Sequence, residues 1–414
     1  MFLHRKTQFF IVWRVLSADT ECGVIRASSD MEKVRIGIVG LGNMGRFHAD
    51  YLLKGEVARA ELTAVSDAFE KGLEPYKDKV ATFLKCEEMI RSGEIDALII
   101  ATPHYFHTLQ GIDALEQGLH VLTEKPISVH KADCERLIAA HKKPGQVFAA
   151  MFQLRTDPKF EKIKKLISTG ELGEIARVNW INTDWFRTEA YYASGGWRAT
   201  WKGEGGGVLL NQCPHNLDLL QWFCGMPSKV RGFCQIGKYH DIEVEDNVTA
   251  YLEYPNGATG VFVTSTGEAP GTNRLEIAGT RGRLVFENGK ITFTRNEQDM
   301  KKFCEESKIG FAKPEVWEIN IPYENTGAQH KRITQNFVDA ILDGKPLIAP
   351  AEEGIHSVEL ANSILYSSLT NQTVELPLDS AAYEAKLKDL IAHSTHVKKV
   401  REVDSGDFSK SFSK

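Results

Sequence analysis

From Val34 onward the chain alternates short apolar runs with stretches of helical composition. Val34-Arg-Ile-Gly-Ile-Val39 is a β-branched run that ends at Gly40, as a short buried strand does. Arg46 to Lys54 has helical composition and stops at Gly55, the expected helix terminator. Further strands are predicted at 61–66, 97–101, 120–123 and 147–151, with helices at 107–117 and up to Ala140. Strands that alternate with helices predict a parallel sheet with right-handed crossovers.

Beyond about Leu154 the pattern changes. One helix is predicted at 159–168, followed by strands at 176–182, 248–254, 260–264, 275–278 and 284–286. Pro255-Asn256-Gly257 and Asn288-Gly289 suit turns between antiparallel neighbours, the second a type I′ hairpin. Helices at 330–342 and 354–369 precede a short strand at 374–376. The fold class expected is α/β: an N-terminal domain built on a parallel sheet plus a C-terminal α+β domain with a mostly antiparallel sheet. The boundaries read as an extension without a fold (1–32), the parallel-sheet domain (33–153), the α+β domain (154–390) and a polar tail (391–414). The chain's 414 residues suggest nearly three domains at about 150 residues each, and setting the two ends aside leaves two.

Composition narrows the partner. Fifty Lys plus Arg against 55 Asp plus Glu leave a net charge of −5, and no stretch concentrates positive charge as a nucleic-acid surface would. Phe9 to Leu16 is weakly like a signal segment, but Arg14 splits it, and no apolar stretch is long enough to span a membrane. Seven scattered cysteines without a CxxC pair read as free thiols of a reducing, cytoplasmic compartment, with no metal site. The expected partner is a small molecule.

Gly40-Leu-Gly42-Asn-Met-Gly45 lies between a strand and a helix. There Gly40 permits the tight turn, Gly42 lets a pyrophosphate approach the backbone, and Gly45 lets helix and strand pack closely. Asn43 and Met44 belong to the same cradle, where the helix N-terminus offers unpaired N–H groups to phosphate. Asp67, 22 residues after Gly45, would accept the adenosine ribose hydroxyls and repel a 2′-phosphate, which favours NAD over NADP. Thr102-Pro103, with His104 and His107 behind it, closes the turn where the nicotinamide ribose should pass. The histidines read equally well as helix-start residues.

Glu124-Lys125-Pro126 falls at the carboxyl end of a predicted parallel strand, where ligands of open α/β sheets bind. Lys125 there could hold a substrate hydroxyl, or be a surface lysine before a turn. In Gly205-Gly-Gly-Val-Leu-Leu-Asn211-Gln-Cys-Pro-His215-Asn-Leu-Asp218 a helical conformation would put Asn211, His215 and Asp218 on one face, although Pro214 would interrupt it. Ahead of it lie Trp180, Trp185, Phe186, Tyr191, Tyr192, Trp197 and Trp201, with Arg187 and Arg198 between them. Such rings suit the C–H face of a sugar or serve as packing anchors. Tyr192, Trp197 and Arg198 are candidate substrate contacts, and Gln153 and Arg155 at the domain junction are further candidates.

Together Gly40–Gly45, Ala101-Thr-Pro-His-Tyr-Phe-His107, Glu124-Lys-Pro126 and Gly205-Gly-Gly followed by His215-Asn-Leu-Asp218 resemble the glucose-fructose oxidoreductase/inositol dehydrogenase/rhizopine catabolism (Gfo/Idh/MocA) family over roughly residues 33–380. The resemblance implies NAD(P)-dependent hydride transfer at a carbinol carbon of a sugar, anhydrosugar or cyclitol, with Lys125 as the active-site lysine and His215 as the catalytic histidine. It also implies that 33–153 is a Rossmann dinucleotide-binding domain and that the C-terminal α+β domain carries a large, mostly antiparallel open sheet, through which a homodimer or homotetramer assembles. Asn211 stands where many members carry an aspartate, and Cys213 where a glycine is usual. That departure keeps two other readings open: an NAD-retaining glycosidase or lyase working by transient oxidation, elimination and reduction, and a non-catalytic NAD-binding regulator.

Overall fold

The computed structural model describes residues 32–324 and 327–401. Residues 1–31, which make up nearly all of the expected extension, and the last part of the expected tail lie outside the described residues.

The first sheet contains β1 (Val34–Val39), β2 (Ala60–Ser66), β3 (Ala81–Phe83), β4 (Ala97–Ile100), β5 (His120–Thr123) and β6 (Phe148–Ala150). All pairs are parallel, in the order β3-β2-β1-β4-β5-β6. Helices cover both faces, so Ile36, Ile38, Leu98, Ile99 and Val121 are fully buried in the uninterrupted apolar runs typical of parallel strands. The order reverses between β1 and β4, and a ligand crevice opens at the carboxyl ends of such a pair. Gly40 follows β1 and Thr102-Pro103 follows β4 at this point.

The second sheet contains β7 (Ile175–Asn182), β8 (Lys229–Ile236), β9 (Glu245–Glu253), β10 (Thr259–Ser265), β11 (Asn273–Gly279), β12 (Gly282–Glu287), β13 (Lys290–Asn296), β14 (Val316–Ile321) and β15 (Val374–Glu375). Its order is β14-β13-β12-β11-β7-β10-β9-β8-β15. Only the β7–β10 pair is parallel. Asn288 and Gly289 have φ of +50° and +68° and join β12 to β13 in the two-residue hairpin predicted from their composition. One face packs on helices Pro158–Ser168, Pro214–Cys224 and Gly354–Thr370 through Trp180, Phe262, Leu217 and Leu360. The other presents Tyr251, Val261, Phe233 and Ile181 outward.

Two features depart from the sequence reading. Helix Gln329–Asp343, grouped above with the second domain, places Ile333, Phe337 and Val338 in the core of the first sheet. The segment after Leu390 is not a loose tail as far as it is described. Helix Ser380–Ala392 is capped by Asp379, and beyond it Lys399 pairs with Asp241 at 2.7 Å and the Arg401 N–H donates to the Ala193 carbonyl at 3.0 Å. This stretch therefore lies against the tryptophan-rich segment.

Candidate active site

The glycine turn meets the two demands that its spacing places on the fold itself. Gly40 has φ +87°, and a Cβ there would lie 2.8 Å from the Ala101–Thr102 backbone. A Cβ on Gly45 would sit 1.8 Å from the Gly40 carbonyl oxygen. At Gly42, in contrast, a Cβ would meet no protein atom within 4 Å, so nothing in the fold itself requires glycine there. The helix Asn43–Leu53 that starts at this point has no side-chain cap and no acid in its first turn, which leaves its N–H groups and positive end to an anion. Asp67 flanks the turn, its Oδ2 accepting the Leu41 N–H at 2.7 Å and its Oδ1 that of Phe69 at 2.9 Å. The residues fit a dinucleotide with an unphosphorylated ribose.

Behind this cradle stands a tied group of polar residues. Thr102 Oγ1 donates to Gln110 at 2.8 Å. His107, expected as a possible cofactor contact, is buried with Nδ1 2.8 Å from the Pro126 carbonyl and Nε2 2.7 Å from that of Thr102. It ties the loop after β4 to the Glu124-Lys125-Pro126 segment, and neither ring nitrogen is left for a ligand. His104 is also buried, with its ring centroid 5.5 Å from that of Trp197 and Nδ1 without a partner; burial holds its pKa well below the usual histidine value. Glu124 Oε1 lies 2.8 Å from His48 Nε2, and His48 Nδ1 continues to Tyr51 and then to Thr334. Burial alone would raise the Glu124 pKa; the hydrogen bond and charge of His48 outweigh it and hold it at about 2.

Lys125 projects from this anchored carboxylate, its Nζ donating to the Asn211 carbonyl at 3.2 Å. Burial lowers its pKa, with Arg198 and Arg187 acting in the same direction and Glu124 and Glu204 opposing. His215 lies on helix Pro214–Cys224. Its Nε2 is 3.1 Å from Gln153 Nε2, while its Nδ1 is buried without a partner. Burial, then the charge of Lys125, pushes its pKa well below the ordinary value, so the imidazole is a neutral base beside an ammonium group. Unpartnered buried polar atoms are rare. Here His215 Nδ1, Gln153 Oε1 and His104 Nδ1 all belong to candidate site residues.

The structure revises three of the expected roles. Asn211 does not share a helix face with His215, because Pro214 starts the helix at N1 and residue 211 lies in the preceding turn. Arg155 is 1% exposed and commits Nε and Nη2 to Asp218 at 2.8 and 2.6 Å and Nη1 to Glu353 at 2.5 Å. It fastens the His215 helix rather than reaching a substrate, and Asp218, expected on the His215 face, is its buried partner. Tyr192 points into the second core, its hydroxyl on Thr266 at 2.8 Å. Its neighbour Tyr191 takes the place at the site: its hydroxyl donates to Asn211 Oδ1 at 3.2 Å and accepts from Arg198 at 2.9 Å and Gln212 at 3.1 Å.

Sequence reading missed Glu204. It is 1% exposed, accepts the Asn211 side-chain amide on Oε1 and takes the Ala199 N–H on Oε2 at 2.6 Å. Burial raises its pKa, opposed by Arg198 and by these hydrogen bonds. Its position directly before the glycine triplet was the only local signal.

Comparison with known proteins identifies both domains. The model of the oxidoreductase family with an NAD-binding Rossmann fold matches residues 34–152, and that of the GFO/IDH/MocA C-terminal domain matches residues 160–285. The chain belongs to the Gfo/Idh/MocA family. It is an NAD-binding oxidoreductase. Myo-inositol 2-dehydrogenase of Thermotoga maritima is 27% identical over 63% of this chain and 77% of its own length. The scyllo-inositol 2-dehydrogenase (NAD(+)) of Bacillus subtilis is 27% identical over 61% and 74%. Among solved structures, the WlbA dehydrogenase of Bordetella pertussis in complex with NADH and UDP-GlcNAcA superposes with a TM-score of 0.70 at 26% identity, covering 84% of this chain and all of the other. Among the described residues no helix is long and apolar enough to cross a membrane, and no cluster of His, Cys, Asp and Glu could hold a metal ion.

Proposed function

We propose that the protein is an NAD-dependent dehydrogenase of a sugar, anhydrosugar or cyclitol, with the substrate held between the crevice of the first sheet and the segment 185–215. The observation that carries the reading is the convergence of Lys125 and His215 at one helix start: Lys125 Nζ donates to the Asn211 carbonyl at 3.2 Å just ahead of helix Pro214–Cys224, and His215 sits in the first turn of that helix with Nδ1 unpartnered. Gly40, Gly42, Asn43, Met44, Asp67, Thr102 and Pro103 would hold the dinucleotide. When bound, it supplies the hydride acceptor. Lys125 uses one N–H on Asn211, and its remaining donors orient the reacting hydroxyl and stabilise alkoxide character as it develops. His215 takes the hydroxyl proton; a base held neutral by burial is ready at physiological pH. Asn211, fixed by Glu204 and Tyr191, positions the substrate beside them, and Trp197 offers a ring face to its C–H bonds. The reading assigns a cytoplasmic compartment, consistent with free thiols at every described cysteine, and a homodimer or homotetramer through the outward face of the second sheet.

The test is NADH formation from NAD and a panel of cyclitols, aldoses and anhydrosugars, run alongside NADH oxidation by the corresponding ketones. Lys125→Met and His215→Gln should abolish turnover and leave NAD affinity within about threefold. Absence of turnover in both directions across the panel would sink the proposal.

A further inference from the structure

Arg187 and Arg198 approach one ring from the two ends of the aromatic segment. Their guanidinium carbons lie 5.1 and 4.7 Å from the Tyr191 centroid. Arg198 also lies 4.7 Å from the Trp197 centroid and Arg187 5.6 Å from that of Trp185. Tyr191 is the residue whose hydroxyl reaches Asn211, so both cations flank the place assigned to the substrate.

Several arginines of the fold hold carboxylates, and among the described residues these two do not. Arg35, Arg91, Arg155 and Arg274 hold carboxylates at 2.7, 2.6, 2.5 and 2.5 Å. Arg198 spends one nitrogen on the Tyr191 hydroxyl, and Arg187 spends one on the carbonyls of Trp185 and Phe186. Among the described residues neither has a carboxylate within the 4.0 Å of an ion pair. Each guanidinium carries five N–H donors, so most remain available. Lys125 adds a third cation, and Lys398, from the segment laid across this region, experiences the fields of Glu204 and Arg198 as well. The buried carboxylate nearby, Glu204, has both oxygens committed to Asn211 and Ala199. Glu189 and Asp241 also act on Lys398, Asp241 being paired with Lys399 at 2.7 Å, so it is the unused N–H donors of Arg187 and Arg198, not an uncompensated local charge, that an anion would use.

We infer that the substrate is an anionic sugar or cyclitol, whose carboxylate or phosphate oxygens lie between Arg187 and Arg198 while its reacting hydroxyl meets Lys125. The inference rests on the dehydrogenase reading above and narrows its substrate class. The planar guanidinium fork matches the paired oxygens of either anion. Stacking on Tyr191, Trp197 and Trp185 presents those forks with little flexibility, which makes the arrangement a receptor rather than a diffuse positive surface. The dinucleotide's own phosphates are served by the Gly40–Gly45 turn on the other sheet.

The experiment is calorimetry on the full-length protein saturated with NADH, titrated with glucose, glucuronate and glucose 6-phosphate and with the matching galactose set. At least one charged sugar should bind about tenfold or more tightly than its neutral parent at low salt, and the preference should shrink in 0.5 M NaCl, roughly as screening of exposed charge requires. Uronate against phosphate identifies the source of the anion. Arg187→Gln and Arg198→Gln should bring charged and neutral sugars to within about threefold of each other. Neutral parents binding as well as or better than both charged forms would overturn the inference, as would failure of every sugar to bind. Variants that lose thermal stability but keep the preference would show that the arginines only pack the loop. Because binding is read without turnover, charged-sugar binding with no hydride transfer would remove the dehydrogenase reading and leave the anion site standing. Turnover confined to neutral sugars would do the reverse.

Discussion

Glu204 accepts the side-chain amide of Asn211 from within the second core, so the carboxylate missing at position 211 is present one residue behind it. The amide cannot carry the negative charge that an aspartate would place near His215, but it transmits the geometry. Asn211 Oδ1 is turned to the Tyr191 hydroxyl and its backbone carbonyl to Lys125. Glu204, Asn211 and Lys125 thus form a chain from core to pocket.

Glu204→Gln should separate positioning from mere packing. Both Glu204 oxygens face donors, the Asn211 amide and the Ala199 N–H, and a glutamine can satisfy only one of them with oxygen. The mispaired N–H costs about 1–3 kcal/mol, visible as a lower urea midpoint. On the proposed reading kcat falls ten- to a hundredfold with NAD affinity unchanged, and Glu204→Asp recovers part of the loss. A kcat that does not move while stability falls would leave Glu204 a purely structural acid.

Legibility followed the range of the interactions. The positive φ of Gly40 and the close packing of Gly45 on the Gly40 carbonyl are backbone demands set within one strand-turn-helix unit, and the Asn288-Gly289 hairpin is set by two residues, so both could be read locally. Arg155 could not: its partners Asp218 and Glu353 lie 63 and 198 positions away, and nothing near residue 155 marks it as an ion pair rather than a ligand. Tyr191 and Tyr192 are adjacent and chemically alike, and only the packing of the short helix Glu189–Ala193 decides which faces the core. Strand β14 escaped notice because its side chains are largely exposed and show little apolar alternation. Strand β8 escaped because Gly232 and polar neighbours break up its pattern, although Gly232 is where the strand backs onto the Ile364 carbonyl.

The Arg155–Asp218 pair predicts a stability cost with a catalytic echo. Both side chains are 1% exposed, and Asp218 stands three residues after His215 on the same helix. Asp218→Ala leaves Arg155 buried with Glu353 as its remaining acid, a loss of about 3–5 kcal/mol by the usual cost of breaking a buried pair. Urea unfolding measures it. Arg155→Met combined with Asp218→Leu should recover much of the stability, because the uncompensated charge is gone. If the double substitution is as damaging as the two single ones added together, the pair is not coupled and the argument fails.

Acid should weaken the fold through its buried neutral histidines, with Glu245, pushed up to about 7 by burial, offsetting one of them as it takes a proton in the folded state. Burial lowers the pKa of His120 to about 4 and of His330 to about 3, and it lowers those of His104 and His215 well below their ordinary value. The unfolded chain binds these protons near pH 6.5, whereas the folded state does not, so the unfolded state gains protons first. Each such histidine therefore removes about 1.4 kcal/mol of stability per pH unit as pH falls below 6.5. The His120 contribution levels off near pH 4 and that of His330 near pH 3. Glu124 adds a later loss between about pH 4.5 and 2. Urea midpoints should be level from pH 8 to 7 and drop steadily from 6.5 to 5; a midpoint unchanged over that lower interval would contradict the buried neutral state of the histidines.

The glycine turn allows cofactor binding to be removed without disturbing the fold. Gly42 has φ −68° and ψ −163°, an extended conformation open to any residue, and space around its missing Cβ. Gly42→Asp should therefore leave the urea midpoint within about 0.5 kcal/mol of the parent, as surface substitutions usually do. It places a carboxylate where the phosphates must approach an uncapped helix N-terminus, and NAD affinity should fall by roughly a hundredfold, the ~2.7 kcal/mol of two decades. Gly45→Ala is the opposite control: its Cβ would lie 1.8 Å from the Gly40 carbonyl oxygen, so folding itself is damaged and binding falls with it. Tight NAD binding by a stably folded Gly42→Asp protein would move the dinucleotide away from this turn, and with it the hydride acceptor assumed opposite Lys125 and His215.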